Sequence, residues 1–198
     1  ADPELRAAKA ILRIAQEAPL RIVAGELLAG ASTLLEAPRH QKPLAGIGST
    51  SHTTIALEQA LTCGLRVYRE RIAKRVARGE LSETQSTFLD AMRICLDAMT
   101  IWHDRLMGEL AQRIPISTGE EQQIYRAVRQ NLERVPERPP QSFREALQSL
   151  WFLWEFQRLC GNWSGLGRVD KILGPYLARD LARGSIDLGE AREPLAHF

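Results

Sequence analysis

Apolar residues recur at intervals of three and four along most of the chain, the spacing that lines one face of an α-helix. Asp2 before Pro3 reads as an N-cap with proline at the first helical position. Leu5, Ala8, Leu12 and Ala15 then form a stripe that Pro19 closes. Ile22, Val23, Leu27 and Leu28 cluster around Gly25 in a stretch too short and too branched for a helix, so residues 20–30 predict a short strand or a turn. From Pro38 to Ser51 the chain turns to Pro, Gly, Ser and Thr, which is loop chemistry. Leu57, Leu61, Leu65, Tyr68, Ile72 and Val76 resume the helical spacing, with Gly64 as a break between two helices and Gly79 as the end.

Ser82 with Gln85 forms a capping box that opens a long helix through Arg113. Its stripe is Phe88, Met92, Cys95, Leu96, Met99, Trp102, Leu106 and Leu110, and Pro115 stops it. Thr118 with Glu121 predicts a second box ahead of Ile124, Tyr125, Val128 and Leu132. Ser142 with Glu145 predicts a third after the Pro136, Pro139, Pro140 linker. The helix that follows carries Phe143, Leu147, Leu150, Trp151, Phe152, Leu153, Trp154, Phe156 and Leu159 before Gly161. It is apolar on every side and must be covered on every side. Neighbours with single stripes are expected to leave some of Trp151, Phe152, Trp154 and Phe156 exposed. Ile172 to Leu181 reads as a further helix up to Gly184, and Asp187 with Glu190 begins another that the sequence leaves unfinished. Both ends are expected to be cuts in a longer chain.

The chain's 198 residues suit one domain, and 44% hydrophobic with 25% charged residues is globular composition. A net charge of +2 gives no overall attraction to nucleic acid or anionic membrane, so neither is expected as a partner. No apolar run spans a bilayer and no signal peptide opens the chain, which predicts a cytoplasmic protein. Cys63, Cys95 and Cys160 are too widely spaced for a zinc site and odd in number for a disulfide framework.

Arg66, Arg69, Arg71, Lys74, Arg75 and Arg78 mostly face away from the apolar stripe, without interleaved aromatics, so they read as a solvated helix face. Gly46-Ile47-Gly48-Ser49-Thr50-Ser51 resembles a phosphate cradle but lacks the spacing of one, and reads as a loop. His52, just before a helix, is a candidate for ligand contact or proton transfer. His40, His103 and His197 show no metal-ligand spacing, and Trp102-His103-Asp104 makes no triad because consecutive helical residues point apart. Cys160 reads as buried and inert. Asn162-Trp163-Ser164 fits a glycosylation acceptor, which has no bearing on a cytoplasmic chain.

Two stretches carry a specific resemblance. Pro140, Phe143, Glu145, Ala146, Leu147, Gln148, Trp151 and Phe152 follow the PxxFxEALQxxWF pattern. Gly167, Arg168, Asp170, Leu173, Pro175, Tyr176, Asp180 and Gly184 follow GRxDQxLxPYxxxDxxxG. Glu26–Gly30 matches ELxxG, and residues 52–65 keep the spacing of GHxxPDYxxxLxxGL, with Ser51 in place of its glycine and Ile55-Ala56-Leu57 in place of Pro-Asp-Tyr. Together these resemble glycyl radical enzymes of the pyruvate formate-lyase type. The resemblance implies a mainly α chain over residues 1–198, the helical N-terminal portion of a glycyl radical enzyme α/β barrel.

It further implies a lyase of formate acetyltransferase or diol dehydratase type, with decarboxylases also open, acting anaerobically on a small-molecule substrate. An iron-sulfur activating enzyme and a homo-oligomeric state are implied as well. The thiyl cysteine and the radical glycine belong to other parts of that family's chain, so no catalytic residue, metal or cofactor is assigned here. The glycyl radical is implied for the full-length enzyme. His52, Asn162 and Trp163 are expected on one wall of the substrate cavity, and Arg168 and Asp170 are expected to be structural, with the guanidinium buried and paired. The rival expectation is a non-catalytic helical module that binds another protein through Trp151 and Trp154.

Overall fold

The computed structural model describes residues 2–30 and 51–198. His40 and the Gly46–Thr50 part of the cradle-like loop lie outside them. Among the described residues are eight α-helices, one 3₁₀ turn and two short strands. The first helix, α1, runs Pro3–Glu17. Asp2 caps it, its Oδ1 accepting from the Glu4 and Leu5 amides at 2.9 and 3.1 Å. Ala18, ahead of Pro19, is extended and ends it. Residues 20–30 form turns, with Gly25 and Gly30 at positive φ, and bury Ile22, Leu28 and Ala29.

After β1 (Ser51–Thr54) come α2 (Leu57–Cys63) and α3 (Leu65–Ala77), parted at Gly64. A Cβ at Gly64 would lie 2.6 Å from the Glu137 carbonyl oxygen, and φ there is +72°. Only glycine lets the 136–138 loop come close enough to accept the first amides of α3, Leu65 N–H to Pro136 O and Arg66 N–H to Glu137 O, both at 3.0 Å. The long helix α4 (Glu83–Arg113) starts with the expected capping box. At roughly 46 Å it outruns the roughly 22 Å of its neighbour α1, and near its start Phe88 is half exposed instead of buried. Arg105 ties the two together, donating to the Ala15 and Ala18 carbonyls at 2.7 Å each.

Helix α5 (Gly119–Leu132) lacks its expected capping box. Glu121 accepts from the Tyr125 hydroxyl at 2.8 Å, and Gln122 instead satisfies the preceding Ile114 and Ser117 carbonyls. Helix α6 (Phe143–Leu159) is the centre of the molecule, contacting α2, α5, α7 (Val169–Ala182), α8 (Leu188–Ala196) and β2 (Trp163–Gly165). Ser142 caps it.

The expected exposed aromatic patch on α6 is absent. Phe152, Phe156 and Trp151 are 0%, 2% and 5% exposed, and Trp154 is partly buried with its indole N–H donated to the Ser164 carbonyl at 3.1 Å. Each neighbour does bring a single stripe, but five elements converge on one helix, so its whole circumference is covered. The Trp151 and Trp154 surface that the rival expectation needed is therefore missing.

Candidate functional site

Strands β1 and β2 are far apart in sequence and pair in parallel beyond the C-terminal end of α6, Ser51 opposite Trp163 and Thr54 opposite Gly165. Two residues of β1, His52 and Thr53, thus stand against one of β2, Ser164. This is a bulge, a device that re-aims side chains and is over-represented beside active sites. The fold therefore brings the His52 strand position beside the Asn162-Trp163 segment.

Close packing holds the pair in place. Thr54 Oγ1 lies 3.3 Å from where a Cβ on Gly165 would sit, and its Cγ2 lies 2.8 Å from the corresponding point on Gly167, whose φ is +72°. Glycine at 167 is thus required twice over, by conformation and by contact. On the other side the turn is tied to α6. The Asn162 amide donates to the Gln157 carbonyl at 2.9 Å, and the Ser164 hydroxyl donates to Gln157 Oε1 at 2.7 Å. The Arg158 guanidinium sits 5.4 Å from the centre of the Trp154 ring.

Arg168 and Asp170 depart from expectation. They pair with each other at 2.6 and 2.8 Å, but both side chains are about two-thirds exposed, 68% and 64%. The Arg168 hydrogen bond holds the Asp170 carboxyl down at about 2. Two residues apart at the start of α7, they form a local surface clasp, so no buried charge depends on the pair. The buried framework role falls instead to Asp180. It is 6% exposed, and its Oδ2 accepts the Phe143 amide at 2.7 Å, tying α7 to the first turn of α6. Gln148, also fully buried, holds the Glu26–Gly30 turn by accepting from the Ala29 amide at 3.0 Å. The residues of the two long sequence patterns and of the ELxxG segment thus meet as mutual framework.

Burial pushes the Cys160 thiol up to about 12, as expected of a packed, unreactive cysteine. His103 donates through Nε2 to the Leu132 carbonyl at 2.8 Å and meets Phe152 edge to face, which is a structural role. Among the described residues no group of three or more His, Cys, Asp or Glu side chains could hold a metal ion, and no helix is long and apolar enough to cross a membrane. Sequence reading missed Glu155, a fully buried acid on α6. Its signal was a lone carboxylate inside an otherwise apolar run.

The family model described as pyruvate formate lyase-like matches residues 40–198. Isethionate sulfite-lyase of Nitratidesulfovibrio vulgaris is 30% identical over 149 residues, 70% of this chain and 18% of that protein. A structure concerned with 1,2-propanediol dehydration in Roseburia inulinivorans superposes with a TM-score of 0.83 at 20% identity, covering 100% of this chain and 34% of its own. A glycyl radical enzyme from Archaeoglobus fulgidus gives 0.83 at 18% identity, covering 99% and 35%. The chain thus spans about a fifth of that sulfite-lyase and a third of the two solved structures.

Proposed function

The chain belongs to the pyruvate formate lyase-like family, and from that premise we propose that residues 1–198 are the N-terminal helical portion of a glycyl radical lyase, forming one wall of its substrate cavity. The observation that carries this reading is the bulged parallel pairing of β1 with β2, which sets His52 beside Asn162 and Trp163. A parallel sheet is ordinarily covered on both faces. A two-stranded one leaves both outer edges to be continued, as the wall of a barrel would be.

In this reading His52, Asn162 and Trp163 bind and orient a small-molecule substrate, while α6 and α7 hold the two strands rigid. The glycyl radical, when present, supplies hydrogen abstraction. Cys160 fits no part in that step, being enclosed in the core with its thiol held protonated. Among substrate types, elimination from a small hydroxylated or sulfonated compound is favoured over acyl transfer, because the similar proteins are named for sulfite elimination and for diol dehydration. A cytoplasmic, anaerobic setting, a homo-oligomeric state and an iron-sulfur activating enzyme as partner belong to the same proposal.

The test uses the enzyme that carries this chain, activated anaerobically and assayed against 1,2-propanediol and isethionate. His52→Ala and Asn162→Ala are expected to raise KM or lower kcat by tenfold or more while the melting temperature stays unchanged. Unaltered kinetics in both variants would refute the wall assignment.

A further inference from the structure

We propose that Glu155 is a proton-gated latch: the Glu26–Gly30 turn seats against α6 only while the Glu155 carboxyl keeps its proton. The side chain leaves the C-terminal half of α6, is 0% exposed, and points at the turn. Gly30, at φ +107°, lies directly against it. A Cβ there would be 2.6 Å from Oε2, 2.7 Å from Cδ and 2.9 Å from Oε1, so the carboxyl packs flat on the glycine backbone. Its one hydrogen bond is long, the Trp102 indole N–H reaching Oε2 at 3.3 Å, and Oε1 has no partner.

A neutral carboxyl tolerates those surroundings. A carboxylate does not, because a buried charge requires a counter-charge or a full set of donors. Among the described residues, the groups facing it supply neither. From the turn comes Glu26, itself an acid and only 5% exposed, which adds repulsion once both are ionised. From α4 comes only the neutral Trp102 indole, and Arg105 one turn further on is committed to the Ala15 and Ala18 carbonyls. From α6 itself comes the Cys160 thiol, held neutral. Burial first, and Glu26 after it, accordingly push the Glu155 carboxyl well above the usual carboxylate range, opposed only by the Trp102 hydrogen bond.

When the proton leaves, one of the two sides must move. Glu155 is fixed in a helix packed all round. The Glu26–Gly30 turn is irregular chain, held on the same face of α6 by Gln148. The turn is therefore the part that lifts, admitting water to the carboxylate. The sign follows from linkage. In the lifted or unfolded form Glu155 titrates near 4.3, so above that pH the seated form is the one holding the extra proton. Its equilibrium constant then falls tenfold per pH unit until the folded group itself ionises.

The experiment is hydrogen exchange by mass spectrometry on the whole enzyme carrying this chain across the range pH 5 to 9, with rates corrected for intrinsic base catalysis. For the parent, protection in peptides covering residues 22–30 is expected to fall by up to tenfold per pH unit, while peptides from α4 and α5 keep theirs. Glu155→Gln, which keeps the shape and stays neutral, is expected to hold protection at 22–30 flat with pH. Identical pH profiles for parent and variant would overturn the proposal, as would a loss of protection shared equally by all peptides. A measurement needing no variant stands beside it. The ¹³C carboxyl resonance of Glu155 in the folded parent at pH 6 is expected to report the protonated acid, and an ionised carboxylate there would overturn the latch even if Glu155→Gln fails to fold.

Discussion

Removing the Asp180 carboxylate tests how this fold distributes its buried charge. The carboxylate is 6% exposed, and its Oδ2 accepts the Phe143 amide at 2.7 Å, one of the orphan donors at the start of α6. Its Oδ1 lies 3.5 Å from the Arg179 Nε. Asp180→Ala deletes a charge-assisted hydrogen bond and leaves a buried N–H unpaired, a loss of about 1.5–3 kcal/mol. Arg179 is over a third exposed and can turn to water, so it adds little. At about 2–4 °C per kcal/mol for a chain of this size, the melting temperature should fall by about 3–12 °C. Asp180→Asn keeps an acceptor and loses only the charge, so it should fall between the alanine variant and the parent. Arg168→Ala and Asp170→Ala, which open a solvent-facing clasp, should melt with the parent. Differential scanning calorimetry of the four variants under one buffer decides the matter. An Asp180→Ala transition coincident with the parent would refute the reasoning, and so would an Arg168→Ala loss as large as that of Asp180→Ala.

Gly167→Ala should destabilise the chain by about 1–3 kcal/mol through its left-handed φ and the Thr54 methyl. Thr54→Ser, which removes that methyl, should restore part of the loss in a double-mutant cycle on chemical melts. Gly64→Ala should cost at least as much, because its clash is with backbone, and no single side-chain truncation should rescue it. Cys160 should resist a thiol reagent at pH 8 in the folded chain and react at once in denaturant, and labelling of the folded chain as fast as of a model thiol would contradict the burial.

Much of the architecture was legible because it rests on local rules. The Ser82–Gln85 and Asp187–Glu190 boxes, the Asp2 cap and the Gly64 break depend on residues a few positions apart, and each stands where the spacing put it. The Thr118–Glu121 box failed because another local partner, the Tyr125 hydroxyl one turn further along the same helix, took Glu121. Long-range partners were not legible. Arg168 and Asp180 occupy the same family pattern, and nothing in sequence says which carboxylate or guanidinium ends inside. Helix direction decides it, with Asp180 facing the Phe143 amide while Arg168 stands at the exposed start of α7. The cover over α6 was misjudged for a related reason, since stripes can be counted along a chain but their convergence on one helix cannot. At the candidate site, the family resemblance implied His52 and Asn162-Trp163. The bulge that sets them side by side is a property of pairing between distant strands.

The most direct test of the wall assignment is a structure of the whole enzyme carrying this chain with a bound substrate such as 1,2-propanediol or isethionate. A pocket for such a molecule is about 10 Å across. Ligand density should touch at least one of His52, Asn162 and Trp163, with Arg168 and Asp170 outside contact. Ligand density more than about 10 Å from all three residues would contradict it.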